Sequence, residues 1–375
     1  MKVFLTFLVF ILALGIHSEA QQSKEQTKKT SGSFRKRWPR IGIFLPFSNN
    51  EDGKIKTENI VEFYKGMVAA NDFCTSIDSG MRFQLFDHRN LPAEIIELSE
   101  GGCLDGLDLM VGPVKQSLIP VFDSVANAKG IPVMNVLSHA GSGGSKTFSG
   151  CMNYQQPSYS AIARTCIEKA GELGIAENAV IIFGPERKDT LVADEYRRQC
   201  LAAGKNVLLF HKIDAGNASE LGQVISAAGI GPKTHIFIAN NETQAKSRIL
   251  SQRSKCPVFI YGNWLERSGL EFDDMTSSAA YFVAPDLPVP PCNADWLESY
   301  VNRWGTVPSW VAWKGFDLVM MLADAWYGNR KNAFEFHGDR LSVLFGKYRY
   351  GDGTPENQFV PVYRFDKKGF SLTNP

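Results

Sequence analysis

An α/β protein of two lobes, each a doubly wound parallel sheet, is the fold this sequence predicts, and three observations predict it. Short continuous apolar runs recur at regular spacing, as buried parallel strands do. Amphipathic helical segments separate them. The alternation then starts a second time, before a proline-rich stretch interrupts it at 285–293. With 375 residues, 44% of them apolar, the chain is large enough for two cores.

Residues 1–20 carry Lys2, then VFLTFLVFILALGI, then Ser18-Glu19-Ala20 with small residues where a signal peptidase reads. This is the pattern of a secretion signal cleaved after Ala20. The apolar run is shorter than the roughly 20 residues a membrane span needs, and no cysteine at the cleavage point marks a lipid anchor. Residues 21–40, with KEQTKK and RKRWPR, are too polar to join a core and read as a basic tether. The expected mature protein is periplasmic or secreted, and soluble.

The first lobe begins with IGIFLPF at Ile41, MRFQLFDH at Met81, LDLMVGP at Leu107 and PVMNVLS at Pro132. Between the first two, 57–73 places Ile60, Phe63, Tyr64, Met67 and Val68 on one helical stripe. Ser117 is positioned to cap the helix that carries Leu118, Val121, Phe122 and Val125. A helix over 157–174 opens the second round. AVIIFGP, a helix ending at Gly204, NVLLFHKI, a short helix to Gly229, THIFIAN, a helix to Ser254, PVFIYGN and AAYFVAP follow. PDLPVPPCN over 285–293 suits neither helix nor central strand and reads as a crossing. Two helices, 294–304 and 310–327, come next, and QFVPVYRFDKKGFSLT forms a hairpin turning at 366–369. The aromatics Trp296, Tyr300, Trp304, Trp310, Trp313, Phe316, Trp326 and Tyr327 recur at helical spacing, which assigns them to a core.

Composition narrows the function. A net charge of +1 offers no basic face to neutralise phosphates, so no nucleic-acid partner is expected. The seven cysteines are an odd number and too widely spaced for a structural zinc site. Cys74 and Cys103 each precede a first-lobe strand and are the expected disulfide pair. No Gly-x-Ser-x-Gly elbow, His-Glu-x-x-His helix or Cys-x-x-Cys pair occurs. The run from His139 to Thr147 lacks the glycines of a phosphate loop, having Ala140 and Ser145 in their places. Asn217-Ala-Ser219 and Asn241-Glu-Thr243 fit the glycosylation pattern. No enzyme activity, metal or cofactor is expected.

IGIFLPF, FYKGMVAAND, FDHRNLPAE, DLMVGP and GIPVMNVLS, in that order, resemble the first lobe of type I periplasmic binding proteins, the branched-chain amino-acid receptor group with the leucine-binding-protein domain. Trp296, Tyr300, Gly305, Pro308, Ala312, Gly315, Phe316 and Asp317 are similar to that family's aromatic, Tyr, Gly-x-x-Pro, Ala, Gly-Tyr-Asp signature. The resemblance runs from Ile41 to the end. It implies two lobes joined by three crossings, near Tyr154, Pro288 and Asn332, with a ligand in the cleft between them. The implied domains are 41–154 plus 288–330 for the first lobe and 155–287 plus 331–375 for the second.

Open parallel sheets bind at the carboxyl ends of their strands, which nominates the loops there. In the first lobe these hold Lys115, Gln116, Ser117, Ser138 and His139; in the second, Asp189, Asn240 and Trp264. Ser117 has two readings, the hydroxyl that the family offers a ligand carboxylate and a plain helix cap. His139 is a ligand contact or a hydrogen-bonded structural residue, and Trp264 stacks on a ligand or closes its loop against the core. Asp87 matches a family aspartate, in a loop-fixing role. The family's ammonium-binding acid has no evident counterpart at the last loop, where Glu266 or Asp189 would have to substitute. The implied function is solute binding for an ABC transporter or sensor, the solute being an amino acid, peptide or sugar. The alternative is an interaction module acting on an envelope partner such as a cell-wall synthase.

Overall fold

Alternation along β1 (Arg40–Leu45) sets the layering of the first sheet. Ile41, Ile43 and Leu45 enter one core while Phe44 enters another on the opposite face. The computed structural model describes residues 37–48, 57–139, 151–213, 223, 230–240, 256–262, 280–285, 294–328, 334, 336, 338–341, 347–351, 355–366 and 369–373. The signal and nearly all of the tether lie outside these residues, as do Trp264, Glu266, Cys292, both glycosylation patterns and the 285–293 crossing beyond Pro285. Arg40 belongs to β1, where its N–H donates to Asp108 Oδ2 at 2.8 Å, so the tether ends one residue earlier than expected.

β1 is joined by β2 (Arg82–Asp87), β3 (Leu109–Val111), β4 (Val133–His139) and β5 (Met152–Gln156). The five strands are parallel in the order β2-β1-β3-β4-β5, so the winding direction switches between β1 and β3. Helices α1 (Thr57–Ser76), α2 (Pro92–Glu100) and α3 (Ile119–Lys129) connect them. The expected cap on α3 is corrected. Ser117 lies inside a 3-10 turn, Gln116–Leu118, and α3 starts at Ile119 with Leu118 ahead of it and no side-chain cap. Pro120 explains this, because a proline in the first turn removes a donor that a cap would serve.

The second sheet repeats the plan. Its strands are β6 (Asn178–Phe183), β7 (Asn206–Lys212), β8 (Thr234–Ala239), β9 (Val258–Tyr261) and β10 (Ala280–Val283), with α4 (Tyr159–Glu172) and α5 (Arg187–Ala202) on one face. Ser158 caps α4 by accepting from the Ala161 N–H. The sheet's order is β14-β13-β10-β9-β8-β6-β7. The added hairpin, β13 (Val362–Asp366) and β14 (Gly369–Leu372), runs antiparallel, so this sheet is mixed rather than purely parallel.

Helices α6 (Ala294–Trp304) and α7 (Trp310–Tyr327) pack on the first sheet, and Trp296, Tyr300, Trp313, Phe316 and Trp326 share its core with Phe63 and Met67 of α1. The backbones of α1 and α7 touch at two glycines. A Cβ on Gly66 would collide with the Ala312 carbonyl, and one on Gly315 with the Phe63 carbonyl. A small hairpin, β11 (Gly338–Leu341) and β12 (Lys347–Tyr350), was not anticipated. Phe334, Phe336, Tyr348 and Tyr350 also enter the first core, so among the described residues the chain joins the second core only from Val360 onward rather than from 331. Ring contacts drive this placement: Phe334 lies 5.0 Å from Trp326, and Phe336 5.5 Å from Tyr350.

The expected Cys74–Cys103 disulfide is also corrected. Both are thiols: Cys74 is buried between α1 and α7 with its Sγ 3.8 Å from Met320 Sδ, whereas Cys103 is exposed beyond α2. Lying just before a strand put both at one edge of the sheet, but not on one face of it. No described helix is long and apolar enough to cross a membrane.

Candidate functional site

The carboxyl ends of the two sheets' strands meet at a cavity of about 300 Å³. Gln116, Leu137, Ser138 and His139 line it from the first sheet, and Tyr159, Lys188, Asp189, Tyr261, Gly262, Ala284 and Pro285 from the second. Each follows or ends a strand, or opens a helix, as the topology of open sheets requires.

Local chemistry explains how the first-sheet side is built. Asn135, fully buried in β4, donates from Nδ2 to the Pro113 carbonyl at 2.7 Å and accepts the Ser138 N–H at Oδ1 at 2.9 Å. One side chain thereby fixes the loop after β3 and the end of β4. A register shift between Asn135 and His139 then carries His139 toward the second sheet. Its Nδ1 lies 2.6 Å from the Pro157 carbonyl, and a carbonyl only accepts, so Nδ1 bears the proton. Nε2 then accepts from the Tyr261 hydroxyl at 3.3 Å. The imidazole is also 4.6 Å from the Tyr159 ring, which meets Tyr261 edge-on at 88°.

On the second-sheet side, Asp189 in the first turn of α5 is only 3% exposed and Asn240, after β8, only 1%. Both lie against Gly184, which follows β6, so any Cβ there would run into the Asp189 carboxylate. β6 and β8 flank the winding switch of this sheet, which brings these three residues together. Lys188 pairs with Glu186 at 2.9 Å, with both side chains half exposed.

Of the residues nominated from sequence, Gln116, Ser138, His139 and Asp189 surround the cavity. Asn240 lies with Asp189 against Gly184 but, like Lys115 and Ser117, is not among the lining residues, and Trp264 lies outside the described residues. Sequence reasoning missed Tyr159 and Tyr261, whose position at a helix start and a strand end was the available signal. It also missed Asn135, which no pattern marks. Asp87 fixes loops, accepting the N–H groups of Phe47 and Arg89 at 3.1 Å each and the Ser48 hydroxyl. Among the described residues no cluster of His, Cys, Asp and Glu is arranged to hold a metal ion.

Beside the cavity, two segments pass between the sheets in contact with each other. The Tyr154 N–H donates to the Pro355 carbonyl at 2.7 Å, and the Tyr154 carbonyl accepts from the Asn357 N–H at 3.0 Å. Tyr350 adds its hydroxyl to the same carbonyl at 3.2 Å. Tyr348 is buried, donating to Asp317 and accepting from Gln155; burial first, then the Asp317 charge, push its phenol well above the usual range.

Solved structures decide what this architecture is. A branched-chain amino-acid ABC transporter protein of Rhodospirillum rubrum superposes with a TM-score of 0.70 at 13% identity, covering 90% of this chain and 100% of its own. The fold is that of type I periplasmic binding proteins. An ABC transporter substrate-binding protein of Desulfitobacterium hafniense, in complex with leucine, shares it at a TM-score of 0.58 and 18% identity, over 90% and 100% of the two chains. So does full-length LpoA of Haemophilus influenzae, at 0.61 and 14%, over 91% of this chain and 59% of LpoA. No family model and no curated protein sequence matches the chain. At these identities the type I binding-protein fold is common ground, while the residues of the cavity are this chain's own.

Proposed function

We propose that this is an extracytoplasmic, non-enzymatic solute-binding protein that closes its two lobes on a small polar molecule and presents the closed form to an ABC transporter or sensor. The observation that carries this reading is a single cavity at the carboxyl ends of both sheets, to which each contributes polar side chains. The paired segments at Tyr154, within the edge strand β5, and 355–357 suit a hinge, since they run side by side where the chain passes between the two sheets. The proposed division is 41–154 plus 288–330 against 155–287 plus 331–375, adjusted so that 334–350 goes with the first lobe. Export would follow from cleavage after Ala20. Binding to the closed form alone raises the melting temperature and compacts the particle. Thermal shift and solution scattering with amino acids, peptides and sugars test this. A solute that does both supports it; a panel that does neither on folded protein overturns it.

A second reading is an interaction module for an envelope partner. The likeness to LpoA favours it, as does the His139–Tyr261 hydrogen bond, which ties the lobes through protein atoms. Scattering that is unchanged by every solute, and opened by His139→Ala, would move the assignment there.

A further inference from the structure

We infer that the turn between β2 and α2 is an acid-operated latch, held shut by neutral His88 and released when that ring takes a second proton. Arg89 and Asn90, which form the turn, both have positive φ, 46° and 58°. Consecutive non-glycine residues in the left-handed region are strained by their Cβ atoms, so other bonds must hold them there. Asp87 Oδ1 accepts the Arg89 N–H at 3.1 Å, the His88 carbonyl accepts the Leu91 N–H at 2.8 Å, and His88 Nδ1 accepts the Asn90 N–H at 3.1 Å. The last of these is conditional. A backbone N–H only donates, so Nδ1 must be bare and the ring's one proton sits on Nε2. Protonating Nδ1 turns the acceptor into a donor and sets two N–H groups against each other.

The surroundings of the ring set the direction of the switch. His88 is fully buried, with Phe122 of α3 6.0 Å away and steeply inclined at 77°. Burial lowers its pKa from 6.5; backbone groups of His88 itself, the Asp87 carboxylate and the Phe44 backbone of β1 work against that shift. Arg89, the cation of the turn, is paired with Glu94 of α2. A folded value below the unfolded one keeps the latch shut above pH 6.5 and opens it as pH falls below that point. Asp87 carries the effect further, because it also accepts the Phe47 N–H at 3.1 Å and the Ser48 hydroxyl. The turn is thereby tied to the loop after β1, on the same carboxyl edge of the sheet from which the end of β4 lines the cavity. Acid loosens these two strand-end loops ahead of the core beneath them, whatever the cavity holds.

Amide hydrogen exchange followed by NMR on the folded full chain, from about pH 7.5 to about pH 4 and corrected for the intrinsic pH dependence of exchange, reads the latch at the Asn90 amide. Its protection should fall about tenfold or more on acidification, the scale of one hydrogen bond. The Met110 amide, bonded to the Pro132 carbonyl at 2.9 Å inside the same sheet, should keep its protection over the interval in which Asn90 loses it. His88→Asn retains an acceptor that reaches the amide two residues on but does not titrate, so it should hold the turn shut throughout. His88→Phe has no acceptor and should leave Asn90 unprotected at every pH. Because His88 is buried, the wild type alone decides if a variant fails to fold: the Nδ1 resonance should move from bare to protonated over the interval in which Asn90 opens. Steady protection at Asn90 while Nδ1 titrates overturns the latch, as does a loss that folded His88→Asn shares. Exchange at Met110 in step with Asn90 marks global unfolding and overturns it too, and so does a ring that stays neutral above a turn that stays shut down to about pH 4.

Discussion

His235 makes the second lobe acid-labile by a calculable amount. The ring is fully buried at the start of β8, where Nδ1 donates to the Ile175 carbonyl at 3.4 Å and Nε2 accepts from the Tyr196 hydroxyl at 2.9 Å. Burial disfavours the imidazolium and lowers the pKa from 6.5 to about 4. Because the unfolded chain binds the proton more readily, protonation favours unfolding. The contribution is therefore complete above pH 6.5 and is lost as pH falls toward 4. That interval, at roughly 1.4 kcal/mol per pH unit, corresponds to about 3 kcal/mol. Denaturant unfolding of wild type and His235→Gln between pH 7.5 and 4 measures it. The wild type should lose stability more steeply than the variant below pH 6.5, by up to that amount, and the folded imidazole should show no NMR titration above about pH 5. Parallel pH profiles for the two proteins, or a His235 resonance that titrates near 6.5, would refute the reasoning.

Three further outcomes follow from packing and exposure. Gly315→Ala forces α7 away from α1 and should cost about 1–3 kcal/mol in unfolding free energy. Phe316→Ala empties a site that is 2% exposed, next to Trp296, and should cost about 3–5 kcal/mol by the same measurement; an unchanged denaturant midpoint would contradict its place in the core. A thiol reagent should label Cys103 rapidly in native protein but reach Cys74, Cys166 and Cys200 only on unfolding, which mass spectrometry of timed samples reads directly. Burial supports this for Cys74, whose pKa rises to about 12.

The order of strands and helices was legible because burial on both faces of a parallel sheet demands continuous apolar runs such as IGIFLPF and THIFIAN, and those are visible without contacts. Loops at strand ends were legible for the same reason, so Gln116, Ser138, His139 and Asp189 could be named from their positions alone. Tyr159 and Tyr261 could not, since a tyrosine at a strand end or helix start looks the same whether it faces a cavity or a core. Cys74 shows the same limit: its position along the chain suggested a partner across the sheet edge, and only the packing of α1 on α7 buried it beside Met320. The β11–β12 hairpin, interrupted by polar and charged residues, carried no periodic signal and took its place from the aromatic side chains that fill the core beside Trp326. What the sequence by itself determined is the alternation and the topology that it forces. Tertiary structure alone decided which side chains face each other across the cleft, because the bond from His139 to Tyr261 joins residues 122 positions apart. Contacts at that separation depend on how two independently packed sheets meet, and no local pattern encodes that meeting.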